Sequence, residues 1–366
     1  IATALLSMWV SNTATVAMMI IIAPEVIEQF EQLSTDEKPL KNFGTALLLG
    51  VAYAASVGGV ATIIGTPPNL VAISAVGRMY NQQIDFFQWL LFGLPLSVVM
   101  LVIVWIVLAF VLYPVPRIKI SGGNRFIKKS LDQLGPMSKT EKRVLAVVAI
   151  VAISWILRGV VKLEFLSQVT DTTISLIGTI LLFAVSSEVK TDSHKRETLL
   201  DWDSALKIPW GILLLFGGGL ALGEGFAVTG LANWLVSQVE LLAGFSPIIV
   251  IFVVVGVTMF LSTLTSNTAT AALMVQIAGS AAIAMNMHPY GLIVASCVAA
   301  SYAFILPVSS PPNAMVHDDN YVTIRKMTKA GVVLSLIGAI LITLFVVFVL
   351  PLVWGIDLAV LPDWMP

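Results

Sequence analysis

The pentapeptide "SNTAT" occupies Ser11–Thr15 and recurs, letter for letter, at Ser266–Thr270. Both copies interrupt long apolar runs, and Ser, Asn and Thr are weak helix formers. Each copy is followed downstream by a double-proline break, "GTPPN" at Gly65–Asn69 and "SSPPN" at Ser309–Asn313. The order is the same in both halves. The first copy is longer by a charged loop, "FEQLSTDEKPLKN" (Phe30–Asn42). Identity is concentrated in the polar breaks, while the flanks share only hydrophobicity. A lone Ser-Asn-Thr in a membrane helix would fit close helix packing. Two identical copies, each with its own double-proline partner, point instead to a repeated functional unit.

Working outward, the 366 residues are 58% hydrophobic and only 11% charged, against about 25% charged in a soluble domain. Bilayer-length apolar segments recur, and a helix needs about 20 mostly apolar residues to cross. Uninterrupted spans are expected at roughly 86–115, 142–163, 172–189, 208–238 and 330–355. Broken pieces are expected at 1–30, 44–79, 247–284 and 290–316. The runs do not alternate every second residue as barrel strands do. The reading is an all-α polytopic membrane protein. The net charge of −1 gives no reason to expect nucleic acid. One cysteine, Cys297, allows no disulfide within the chain. His194, His288 and His317 have no metal-ligand neighbours at helical spacing and read as surface histidines. The chain opens on Ile1 inside an apolar run with no basic segment before it, so an N-terminally truncated or processed chain is expected rather than a signal peptide.

Lys and Arg in short loops set the orientation. Arg117, Lys119, Arg125, Lys128, Lys129, Lys139, Lys142 and Arg143 place the 116–143 loop on the cytoplasmic side. Counting onward places 190–207 inside. It places 317–329 inside only if 247–284 enters and leaves on one face. The flanks of that segment carry no Lys or Arg, so its face is the outer one. Counting backward, the first SNTAT segment ends on the cytoplasmic side. Same motifs in opposite orientation describe an inverted-topology repeat, the plan of many secondary transporters, with the site where broken helices meet at the midplane.

In hydrocarbon every backbone polar group needs a partner, so a break is tolerated only against protein or a watery cavity. Pro67–Pro68 and Pro311–Pro312 remove amide donors and end the preceding helix. Carbonyls such as those of Gly65 and Ser309 are thereby left for another partner. Ser-Asn-Thr at a helix start presents amide donors at the positive end of the dipole, which suits an anion. The freed carbonyls and the Ser and Asn oxygens suit a hard cation. Ser7 and Ser262 each stand four residues before the Ser of SNTAT, one helical turn away. Residues 1–24, 43–77, 246–285 and 290–316 contain no Asp, Glu, Lys, Arg or His. A dianion there has no basic side chain to pair with, and bound cations are the natural compensation. A proton would need a titratable carrier, so sodium coupling fits better than proton coupling. The outlying acid is Glu224 in "LLLFGGGLALGEGF" (Leu213–Phe226), read either as a functional intramembrane group or as a residue snorkelling near the outer end. Arg158, Lys162, Glu164 and Glu188 sit near span ends and read as interfacial.

These residues resemble the divalent anion/sodium symporter family, whose members carry succinate, malate, fumarate, citrate or sulfate. The likeness rests on the paired SNT motifs, GTPPN, "ASYAFILPVSSPPNAMV" (Ala300–Val316) and "PWGILLLFGGGLALGEGFAVTGLANWL" (Pro209–Leu235). It covers essentially the whole chain, less the family's N-terminal helices and the first arm of the first hairpin. It implies two re-entrant helical hairpins and two broken transmembrane helices. It implies that Asn12 and Thr13 contact one substrate carboxylate and Asn267 and Thr268 the other, with Ser310 and Pro311 closing the pocket. One sodium would lie among Ser7, Ser11, Asn12 and the Gly65 carbonyl; a second among Ser262, Ser266, Asn267 and the Ser309 carbonyl. Members are similar homodimers with a scaffold and a moving transport domain. Ser309 and Ser310 stand where many members carry Ala or Gly and Thr, a departure that bears on substrate preference.

The expected organisation is a first transport core at 1–80, scaffold-type spans and cytoplasmic loops at 81–206, a second transport core at 207–316 and a terminal span at 317–366. The expected function is sodium-coupled import of C4-dicarboxylates across the bacterial inner (plasma) membrane by alternating access, with sodium as co-transported ion and no organic cofactor. A citrate or sulfate carrier or a dicarboxylate exchanger stands as an alternative within the family. A sodium/proton exchanger using Glu224, or a channel, stands outside it. An enzyme is not expected, because no nucleophile in the spans has a base beside it.

Overall fold

The computed structural model describes residues 1–31, 37–115, 135–161, 169–190, 196–207, 210–211, 213–214, 217–218, 221, 225, 228–230, 244–318 and 320–365. Helices dominate. The first SNTAT separates α1 (Ala2–Ser7) from α2 (Asn12–Glu31). Then come α3 (Glu37–Val60), α4 (Pro67–Tyr80) and α5 (Phe86–Ile106), the last continuing as a π-helical turn over Val107–Leu112. Next are α6 (Lys139–Val160) and α7 (Asp171–Ala184), each opened by a capping box, at Ser138/Glu141 and Thr170/Thr173; both satisfy first-turn amides. An antiparallel ribbon of β1 (Ser186–Lys190) and β2 (Arg196–Thr198) follows, where the sequence reading expected helix and loop alone. After α8 (Trp202–Ala205), the second SNTAT separates α9 (Pro247–Leu264) from α10 (Asn267–Ala284). The chain ends with α11 (Pro289–Ser301), α12 (Pro311–Val316), α13 (Ile324–Leu344) and α14 (Leu350–Trp354).

Among the described residues, seven helical segments are long and apolar enough to cross a membrane: Asn12–Glu31, Lys38–Val60, Phe86–Leu112, Lys139–Val160, Pro247–Leu264, Asn267–Ala284 and Ile324–Trp354. The protein is an integral membrane protein. Its large apolar side chains point outward as well as inward. Trp105, Phe110, Ile150, Leu157, Ile180 and Phe348 are all more than half exposed, as a lipid-facing surface requires.

The chain divides into two compact units, one of Ile1–Ile84, Gln88–Ile118 and Ile212–Pro366, the other of Asp85–Phe87 and Lys119–Gly211. Both SNTAT breaks and both double-proline breaks fall in the first unit, and so does most of α5. Its centre is α11, in which all thirteen residues are buried. The sequence "PYGLIVASCVAAS" supplies the small side chains that let helices approach closely in a membrane. Here α11 packs against α9, α10 and α4, while α3 packs against α1, α2 and α12. In the second unit, α6 and α7 are tied by Arg158, which pairs with Asp171 at 2.9 Å and donates through Nε to the Val169 carbonyl at 2.6 Å.

The double prolines act differently from the sequence expectation. They do not end the preceding helices; α3 already stops at Val60 and α11 at Ser301. Pro67 and Pro311 instead open α4 and α12. At the first helical position a proline gives up only an amide that would lack a helical partner, and its φ is already suitable. The broken stretches are therefore longer than the motifs, spanning residues 61–66 and 302–310.

Candidate functional site

Asn12 begins α2, and its amide turns back toward α1 and across to α3 and the 61–66 break. The inward edge of that amide is ringed by three oxygens: Ser7 Oγ at 2.6 Å, the Ala55 carbonyl at 3.0 Å and the Gly65 carbonyl at 3.2 Å. Asn267 begins α10 and repeats the arrangement with Ser262 Oγ at 2.9 Å, the Ala300 carbonyl at 3.2 Å and the Ser309 carbonyl at 2.8 Å. Each ring therefore holds one serine hydroxyl, one carbonyl from a helix before a break and one carbonyl from within the break. An amide nitrogen on the inner edge donates to this ring; an amide oxygen there makes it an all-oxygen nest with one hydroxyl proton. Such a nest offers what a small hard cation needs.

Close approach makes the first ring possible. A Cβ on Gly59 would collide with the Asn12 amide, and one on Gly65 would meet the Ser7 carbonyl at 2.8 Å. Thr62 Oγ1 donates to the Met8 carbonyl at 2.5 Å, closing the α1 end onto the break.

The breaks are stitched by their own asparagines. Asn69 Nδ2 donates to the carbonyls ten and seven residues before it, Gly59 at 3.1 Å and Thr62 at 2.7 Å. Asn313 Nδ2 does the same to Ala303 at 3.2 Å and Leu306 at 3.1 Å. The Asn of each PPN motif is thus a structural clamp on the break that carries Gly65 or Ser309. The last carbonyls of α3 find partners too. Ser97 Oγ donates to Val57 at 2.8 Å and Trp89 Nε1 to Val60 at 3.0 Å, so a helix ending inside the protein leaves these acceptors paired.

The candidates for substrate contact differ in exposure. Thr13 and Pro311 are exposed, Asn12, Asn267 and Thr268 are partly exposed, and Ser310 is buried with its hydroxyl accepting from the Asn313 amide at 3.4 Å. α2 packs against α12, and α10 against α4. Each SNTAT helix therefore meets the helix that follows the other half's break. Ser11 and Ser266 are not drawn into the rings. Ser11 Oγ accepts from the Ala14 amide at 3.4 Å, Ser266 makes no side-chain cap bond, and both are exposed. Glu224, Lys162 and Glu164 lie outside the described residues, as does the side chain of Glu188. His288 is not a surface residue: it is 3% exposed, and its Nδ1 caps α11 by accepting from the Tyr290 amide at 3.3 Å. Burial pushes its pKa down to about 4, against the raising influence of Asp357.

Residues 1–359 match the profile described as the sodium:sulfate symporter transmembrane region. The chain belongs to the sodium:sulfate symporter family. Relatives in this family include the sodium-dependent dicarboxylate transporter SdcS of Staphylococcus saprophyticus, 39% identical over 362 residues, covering 98% of this chain and 69% of the relative. The protein of the same name from Staphylococcus aureus strain bovine RF122 is 38% identical over 363 residues, with the same coverage. Against this symporter-family background, sequence reasoning missed Ala55 and Ala300. They contribute through backbone carbonyls, and an alanine in an apolar helix carries no mark of that role. The one available signal was distance to the helix end, and the motifs set that end too late.

Proposed function

We propose that this protein imports C4-dicarboxylates such as succinate, malate and fumarate together with sodium, by alternating access in the plasma membrane. The observation that carries the reading is the pair of matching oxygen rings at Asn12 and Asn267, in a region without a charged side chain. The names of the relatives support the substrate class. In this reading sodium binds first, held by Asn12 with Ser7 and the Ala55 and Gly65 carbonyls, and by Asn267 with Ser262 and the Ala300 and Ser309 carbonyls. Ser11 and Ser266 stand at the starts of the helices beside these sites, and of the two Ser11 accepts from a first-turn amide. A cation drawing each Asn oxygen inward turns the amide N–H outward, where it donates to a carboxylate together with Thr13 or Thr268 and the first-turn amides of α2 and α10. Ser310 and Pro311 close the pocket.

The dianion is then compensated by ions and dipoles rather than by a basic side chain, which ties the two cargoes together. The two SNTAT segments act as re-entrant hairpins of an inverted repeat, and the working protein is a homodimer in which the transport cores at 1–80 and 207–316 move against a scaffold. Uptake of labelled succinate into proteoliposomes with and without an inward sodium gradient is the test. Uptake undiminished without sodium sinks the symport reading, and uptake that requires internal dicarboxylate converts it to exchange. The family's description supports sulfate as a second candidate, and competition by sulfate and citrate against succinate separates them.

A further inference from the structure

Asn69 and Asn313 clamp their breaks in the same way through Nδ2, but their oxygens differ. Asn69 Oδ1 accepts from the Cys297 thiol at 3.4 Å, across the two halves of the chain, and both residues are fully buried. Asn313 Oδ1 is buried without a hydrogen-bond partner. The numerical offset relating Gly59 to Ala303, Thr62 to Leu306, Gly65 to Ser309 and Asn69 to Asn313 also relates Tyr53 to Cys297. Tyr53 reaches across in the opposite direction. Its hydroxyl donates to the Phe304 carbonyl at 2.9 Å, inside the 302–310 break, and its ring lies 4.8 Å from that of Phe304. Equivalent positions on α3 and α11 therefore each reach the other half, Tyr53 at its break and Cys297 at the asparagine that clamps its break.

The two helices also serve their own rings. Cys297 is three residues before Ala300, one turn from the carbonyl facing Asn267. Tyr53 is two residues before Ala55, whose carbonyl faces Asn12. A shift of α11 that repositions the Ala300 carbonyl carries Cys297 with it, and hence the Asn69 clamp over Gly59, Thr62 and Gly65.

We infer that Cys297 is a positioning residue for the first cation ring, acting through Asn69, and that with Tyr53 it couples the two rings. The inference rests on the sodium sites proposed above. Neither side chain touches the cargo. Their effect is to make occupation of one ring favour the ordered geometry of the other, so that sodium binds cooperatively.

The experiment is thermal unfolding of the purified protein as a function of sodium concentration without substrate, which reports the midpoint and steepness of sodium stabilisation apart from transport. Cys297→Ala removes the donor and leaves Asn69 Oδ1 buried and unpaired. It is expected to raise the sodium midpoint about three- to tenfold and to reduce the steepness toward that of independent sites. Cys297→Ser keeps a donor and is expected to restore both. Tyr53→Phe is expected to reduce the steepness through the other break. Wild-type midpoint and steepness in Cys297→Ala overturn the inference, and so does a Ser variant that behaves like Ala. Should the Ala variant not fold, Cys297→Thr and Cys297→Val differ only in the hydroxyl; identical sodium responses from that pair overturn it equally. Asn12→Ala and Asn267→Ala separate this from the reading beneath it. If both retain full sodium stabilisation, the proposed sites fail. If both lose it while Cys297→Ala keeps the wild-type midpoint and steepness, only the coupling fails.

Discussion

Asn12 and Asn267 each carry a neutral side chain with two different faces. An amide offers an oxygen on one edge and two N–H donors on the other, so one residue can face a cation and an anion at once without adding charge. Replacing either by Ala removes both faces. Asn12→Ala and Asn267→Ala are each expected to cut sodium-driven succinate uptake at least tenfold and to weaken sodium stabilisation; an effect at only one position rules out the paired-site picture. Gly59 is the backbone counterpart of this argument. Its missing side chain is what admits the Asn12 amide, and the Gly65 carbonyl would lie 3.1 Å from an added Cβ. Gly59→Ala is expected to cost about 1–3 kcal/mol of stability through overpacking and to abolish sodium-dependent stabilisation, both read from melting curves with and without sodium. That Ser7 meets Asn12 and Ser262 meets Asn267 was readable from residue type and repetition. The Ala55 and Ala300 carbonyls were not, because backbone oxygens belong to every residue and only the fold selects two of them.

Elements matter chiefly where they stop. The α3 helix ends inside the protein, and its terminal carbonyls need donors from other helices. Trp89 supplies one, fully buried, through Nε1 to Val60. Trp89→Phe keeps most of the ring but orphans that carbonyl, and a loss of about 1–3 kcal/mol is expected, measurable as a lowered melting temperature. The start of α11 carries a pH signature instead. Neutral His288 Nδ1 is the cap acceptor, and its pKa of about 4 in the folded protein lies below the roughly 6.5 of an unfolded chain. Between those values the unfolded chain binds the extra proton. The stabilisation is thus complete above about pH 6.5 and is lost as pH falls toward 4. His288→Asn, which retains an acceptor but does not titrate, is expected to flatten the melting temperature between pH 7 and pH 5; an unchanged slope rules His288 out as the cause. Helix positions were legible because apolar runs and proline breaks mark them. Helix ends at Val60 and Ser301 were not, since nothing local stops a helix at either residue and the stopping partners, Asn69 and Asn313, act from seven or more residues away.

For the whole molecule, a site built from dipoles alone makes a global prediction. Sodium is expected to raise the melting temperature by itself, and succinate is expected to raise it further only when sodium is present, because mass action stabilises whatever state binds. Succinate stabilisation in sodium-free buffer would place the dianion on groups other than those named here. The membrane class and helical content followed from composition and run length, because hydrocarbon tolerates few charges and no unpaired backbone. The paired breaks followed from repetition of SNTAT and PPN. The cross-links between halves did not: Cys297 reaching Asn69 and Tyr53 reaching Phe304 join residues more than two hundred positions apart. A sequence read along its length specifies which residues are polar inside an apolar chain. Which oxygens converge on Asn12 and Asn267 is decided only when α3 and α11 end side by side with the breaks, because convergence is a property of packing and not of spacing.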